Sequence, residues 1–445
     1  MVSAASHNFT HDRTRWALPD VWEQALVVAI MLAYTSALLR IVLPGEGNDP
    51  SLAFRLTHFV IYGIVAGLIA RKPEAALDRV RGAPLLVALL VLPALSTLWS
   101  IDPMETVQRT VAVLGSSLFA VYLATQLTRP LLLRLLAVNF AICAFVSLLV
   151  IAFVPSIGIA QDGPHAGGIV GAFGHKNHLG QMTALGGIVC LLAFREPASS
   201  WRIVYTMGVV INGILLLGSG SLTAQILFVA SAIGLVFLGR SIRFITRHAV
   251  VFAVSTGVFI GVTALSITGN DLVDLLTAMG RDATMSSRIP IWQNSWPFIT
   301  ERWLLGYGYE TFWSEANPAV KVIERHIHFR PFHAHNGYLE LWLAIGIIGV
   351  ITFAVLAVHY TVLAAKRLHR LPGDPLHLLA FVYAFLFLLY NLSENAILIR
   401  NTMPWILFAL LYLDLLRPES QTGRNSVVPV NSKTLKPRPP PLSVA

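Results

Sequence analysis

The sequence predicts an all-α, polytopic membrane protein of about twelve transmembrane helices, with one long extracytoplasmic loop between helices nine and ten. Three observations carry this. Of 445 residues, 55% are hydrophobic and only 12% charged, against the ~25% charge of an ordinary soluble domain. Apolar runs of roughly 18–23 residues recur along the chain, the length a helix needs to cross the hydrocarbon core. Basic residues then collect in every second loop, as topology determinants do. Spans in lipid are helices or closed barrels, because nothing there bonds a free backbone amide. The alternating pattern of barrel strands is absent.

Residues 1–20 are polar and form an N-terminal segment before the first apolar run, 21–43. That run starts too late and continues too long for a cleavable leader. Further spans are expected at 52–70, 84–99, 107–127, 131–154, 179–194, 203–217, 222–238 and 249–267, then at 337–364, 376–392 and 403–416. The polar segment 268–336 separates the ninth from the tenth. After Arg417 the tail to 445 is rich in Pro, Ser, Lys and Arg and lacks apolar periodicity, so it is expected to be disordered.

The base-rich segments are the N-terminus, the loops after spans two, four, six, eight and ten, and the tail. All fall on one side, so both termini are expected in the cytoplasm and segment 268–336 outside it. The net charge of +9 is spread over these short loops, without the continuous basic face that nucleic acid requires. Cys143 and Cys190 both fall inside apolar spans and read as small buried residues, with no disulfide framework.

Candidate chemistry concentrates in the long loop. Arg281 and Arg288 bracket a polar turn, and Trp292, Trp296 and Trp303 follow at helical spacing. The Trp face suits interfacial anchoring. Alternatively, two guanidinium forks beside an aromatic platform suit a diphosphate carrying a sugar. At the loop's end His326, His328, His333 and His335 lie within ten positions. Their spacing matches no standard zinc pattern. An imidazole at the mouth of a span can instead serve as general base. His335 is the better candidate, because Asn336 follows it and the tenth span begins directly after. His333 is the alternative two residues earlier, and Glu340 lies one turn below Asn336. A purely structural histidine is the remaining reading.

A second outward segment reads GAFGHKNHLG. His175, Lys176 and Asn177 stand at the start of the sixth span, where free amides and the helix dipole favour an anion. The plainer reading of Lys176 is a marker of the membrane boundary.

These motifs also carry a resemblance. GxFGHKNxLG, GRDATMSSRIPIW with LLGYGYETFW, and HAHNGYLELWLAIGIIG resemble the O-antigen ligase/polymerase superfamily. Within it they look like the bacterial exopolysaccharide polymerases of the succinoglycan type. The similarity spans residues 99–349 and includes WSIDPMETVQRT. It implies a metal-independent membrane glycosyltransferase without cofactor, working at the periplasmic side of the inner membrane. The donor would be an oligosaccharide on undecaprenyl diphosphate, joined to a growing extracellular polysaccharide. By position, Arg288 and Arg281 would bind the donor diphosphate, Lys176 would assist, and His335 would be the base. A chain-length regulator is a candidate partner.

Two positions depart from the pattern: Leu222 stands where relatives often carry a basic residue after a Ser-x-Ser turn, and Ser287 where a glycine is expected. A ligase that moves a finished glycan onto lipid A-core or another acceptor uses the same donor chemistry. A flippase for the same lipid-linked sugar would be expected to place charges along its spans, and these are nearly charge-free. A receptor that binds without turnover is the other rival.

Overall fold

The computed structural model describes residues 20–43, 51–161, 166–195, 200–238, 288–315 and 317–418. Among them the regular elements are helical, apart from one isolated antiparallel bridge between Ile159 and Ile169. The expected ninth span, the loop up to 287 and the terminal segments 1–19 and 419–445 lie outside the described residues.

The first expected span is broken. Helix α1 (Val21–Thr35) is capped by Asp20, whose carboxylate accepts the Glu23 amide at 2.7 Å. Ser36 takes a left-handed φ of 61° and separates α1 from α2 (Ala37–Val42). Helix α3 (Leu52–Ile69) leads into α4 (Pro73–Arg81), a short helix made by the basic segment after the second span. Pro73 starts α4, at the one helical position where a missing N–H costs nothing.

Then follow α5 (Pro84–Ser96), α6 (Pro103–Gln126), α7 (Arg129–Phe153) and the single turn α8 (Pro155–Gly158). After the bridged loop come α9 (Lys176–Ala193), α10 (Arg202–Gly218) and α11 (Leu222–Leu238). The described part of the expected long loop holds α12 (Arg288–Glu301) and α13 (Pro318–Ile327) before α14 (Gly337–Arg370), α15 (Pro375–Tyr390) and α16 (Met403–Leu415). By length and composition α3, α6, α7 and α14 can cross a membrane, and α1, α5, α10, α15 and α16 are shorter apolar helices. The chain is a helical, multi-pass membrane protein.

Helix α16 is the centre of the bundle. Every residue from Met403 to Leu415 is buried, and apart from Asp414 near its end the helix is apolar all round, as suits an enclosed helix. Phe408 stacks on Phe387 of α15 at 4.6 Å, and the Trp405 indole donates to Ser117 of α6 at 2.9 Å. Helices α7, α9 and α10 pack beside this core. The outer surface is apolar too. Ile351, Val355, Val358 and Val362 repeat at helical spacing along α14 and are 44–63% exposed, a face that suits lipid.

Helix α14 is not continuous. Ile345 and Gly346 leave helical geometry, with Gly346 at a φ of 71° that favours glycine. The break frees backbone groups, and the segment after α12 satisfies them. Tyr307 and Gly308 donate to the carbonyls of Leu343 and Ala344 at 2.8 and 3.0 Å, and Ile347 donates to Trp303 at 2.9 Å. Irregular backbone inside an apolar helix persists where protein encloses it, and Ile345 and Gly346 are both buried.

The two ends of the bundle differ in chemistry. One end gathers Arg71, Arg79, Arg129, Arg367 and Arg417, with Glu23, Asp374 and Asp414 as partners. The other gathers the starts of α6, α9, α12 and α14 with the 391–402 loop.

Candidate active site

The segment from α12 to the start of α14 has an apolar core of its own. Ile289, Ile291 and Trp292 of α12 meet Phe312, Trp313, Val320, Ile323, Ala334 and Leu339. This corrects the reading of the tryptophans. Trp292 is only 3% exposed and offers no open platform, while Trp303 lies beyond the end of α12 and is 55% exposed. Trp296 sits edge-on to Trp342 at 5.8 Å.

Trp292 and Glu340 instead clamp one peptide unit. The Trp292 indole donates to the Ala334 carbonyl at 2.7 Å, and Glu340 Oε2 accepts the Ala334 amide at 2.8 Å. The Trp313 indole donates to the same Glu340 oxygen at 3.0 Å. Ala334 is completely buried, so both polar groups need these partners.

The clamp sets the next residue. His335 has a left-handed φ of 50°, a conformation histidine tolerates better than most residues. Asn336 caps α14, its side-chain oxygen accepting the amides of Tyr338 and Leu339 at 3.0 and 3.2 Å. The His335 amide donates to Nδ1 of His333 at 3.1 Å, and the two rings lie 3.9 Å apart. Burial first, then the neighbouring His335, Arg288 and His175, push His333 below the ordinary histidine range against the opposing pull of Glu394. His326 and His328 belong to the end of α13 instead.

On α9, His175 is the N-cap and its ring accepts the Asn177 amide at 3.2 Å. Lys176 is the first helical residue, half-buried, and forms no ion pair among the described residues. Arg288 opens α12 and is 7% exposed. Leu222 opens α11. The turn before it packs on the first turns of α9, so closely that a Cβ on Gly180 would meet Ser221 and Ser219. Arg281 and Ser287 lie outside the described residues.

The residue on which these parts converge was missed by sequence reasoning. Glu394, in the turn after α15, accepts Arg288 Nη2 at 2.7 Å and Asn177 Nδ2 at 2.6 Å on one oxygen. Its other oxygen lies 3.4 Å from His335 Nδ1. Burial pushes this carboxyl up, but the His335 contact and the Arg288 charge outweigh it and hold the group at about 2. The same loop carries Arg400, which pairs with Glu310 beside Arg109. Burial and Arg109 lower Arg400 to about 10. A signal existed: NLSEN falls on the same predicted side as the long loop and places an acid between two apolar spans.

The arrangement brings a guanidinium, an imidazole pair and the cationic start of a helix to one end of the bundle. It can bind an anion and take up a proton beside it. Residues 207–354 match the O-antigen ligase family, a stretch that includes Arg288 and His335. The chain is 32% identical over 238 residues to the exopolysaccharide production protein ExoQ of Rhizobium meliloti (strain 1021). That match covers 51% of this chain and 53% of the relative, so the chain spans about half the length of the curated relative it matches. Together these similarities support an O-antigen ligase/polymerase-like family for this multi-pass membrane protein.

Proposed function

We propose that the chain is a polysaccharide polymerase that joins lipid-linked oligosaccharide units, carried on undecaprenyl diphosphate, into an extracellular polysaccharide. The observation that carries this reading is the convergence of Arg288, the His175–Asn177 helix start and the His333–His335 pair at one end of the bundle. An acceptor hydroxyl attacks the anomeric carbon of the donor glycan. The bond from that carbon to the diphosphate oxygen breaks, and the hydroxyl proton passes to His335. Arg288, with Arg281 and Lys176, stabilises the departing lipid diphosphate, on which negative charge develops. No metal is required, because these cations meet that charge.

Lys176 takes the place of the cation that relatives often carry at Leu222. The close packing of Gly180 on the Ser219–Ser221 turn supports this, since it sets the starts of α9 and α11 side by side. The site faces the periplasm of a bacterial inner membrane, with both termini cytoplasmic. The gathering of arginines at the opposite end of the bundle supports that orientation.

A ligase is the second reading, favoured by the family match over 207–354. The relative's role in exopolysaccharide production favours the polymerase. Lipid-linked species in cells lacking the protein separate them: accumulated single repeats mean a polymerase, accumulated full-length chains a ligase.

A further inference from the structure

We propose that Glu394 is a positioning residue for proton transfer, orienting His335 through Nδ1 and tying its ring to Arg288. The inference rests on the reading of His335 as the base. The division of the carboxylate is the first observation: one oxygen takes Arg288 and Asn177, and the other faces the imidazole. An imidazole whose Nδ1–H points at a carboxylate keeps its Nε2 lone pair for the incoming hydroxyl. Once that proton arrives, the imidazolium has a fixed counter-charge beside it. The two groups lie 3.4 Å apart, a separation that can tighten in the reacting complex.

The second observation is the mounting of the turn. Asn391 is fully buried, and its side chain accepts the amides of Ala396 and Ile397 at 2.7 and 3.1 Å while donating to Phe387 at 2.7 Å. The Gly337 amide, two residues after His335, bonds the carbonyls of Asn391 and Glu394 at 2.8 and 2.9 Å. Histidine and carboxylate therefore sit on two segments hydrogen-bonded to each other. Glu394 also holds its negative charge well below neutral pH.

The bland alternative is a counter-ion for Arg288 alone, and a double-mutant cycle separates the two. The full chain in lipid nanodiscs is given lipid-linked oligosaccharide extracted from cells lacking the protein, and polymer formation is followed. Glu394→Gln is expected to lower kcat about 100-fold, the lower range for a positioned acid–base, with donor KM within about threefold. Glu394→Asp keeps the charge and is expected to recover a substantial part of the rate. Should the Gln variant fail to elute as a monodisperse species, the Asp variant carries the test through a kcat loss at unchanged KM.

Adding Glu394→Gln to His335→Ala is expected to cost little more than His335→Ala alone, because residues acting as one unit are not additive. A loss that multiplies in the His335→Ala background overturns the inference. So does a rise in donor KM with kcat unchanged, or a Gln variant at the parent rate while His335→Ala is inactive. Full activity of His335→Ala removes the base assignment, and this inference with it.

Discussion

A Cβ on Gly337 would collide with the side-chain amide of Asn391. The start of α14 and the turn after α15 thus meet where only hydrogen fits, one residue after the Asn336 cap. Gly337→Ala is therefore expected to push the 391–394 turn away from His335. Overpacking of this kind costs about 1–3 kcal/mol, so the melting temperature should fall and polymer formation with it. Unchanged melting and turnover would contradict this view of the junction.

The Trp292 indole holds the Ala334 carbonyl at 2.7 Å in a completely buried position. Trp292→Phe keeps most of the ring but leaves that carbonyl unpaired, at a cost of about 1–3 kcal/mol. We expect lower stability and slower turnover, since the same peptide unit sets His335. Trp303→Phe, at a site 55% exposed, serves as control and should leave both unchanged.

Acid should weaken the fold in two stages. The Glu394 carboxyl sits at about 2 against an ordinary 4.5, so its contribution is complete above 4.5 and is lost as pH falls from there towards 2. His333 is lowered from 6.5, so the unfolded chain takes up its proton first and stability declines below 6.5. Both act in the same direction. Melting curves of purified protein should show the lower stage disappear in Glu394→Gln while the upper one stays.

Arg288→Lys replaces a planar fork with a point charge. Losing a charged hydrogen bond costs about 1.5–3 kcal/mol, or roughly a 10- to 100-fold rise in donor KM. Donor titration of the purified variant measures it, and an unchanged KM would remove Arg288 from the donor site.

Much of the helical pattern was legible because bilayer spans announce themselves by length and lack of charge. The expected 222–238 span and α11 share their bounds, and α3, α9, α15 and α16 differ from expectation by a few residues. The break at Gly346 was not legible, since it depends on hydrogen bonds supplied by the segment after α12, and nothing in the apolar pattern marks the left-handed turn at Ser36. In the segment 288–336, sequence singled out Arg288, His333 and His335, which the fold brings around one carboxylate. For Trp292 the aromatic platform was not the outcome, and that it and Glu340 grip the Ala334 peptide was not legible, because spacing says nothing of the core that encloses Ala334. Glu394 was passed over because it lies 59 residues from His335, and only the packing of α15 against α14 brings the two together.

The most direct measurement gives purified protein a lipid-linked repeat unit and resolves the products by size, with and without a chelator. The account predicts a ladder of multi-repeat chains with release of undecaprenyl diphosphate, unchanged by the chelator and absent from His335→Ala. Binding of the repeat with no new glycosidic bond would contradict it.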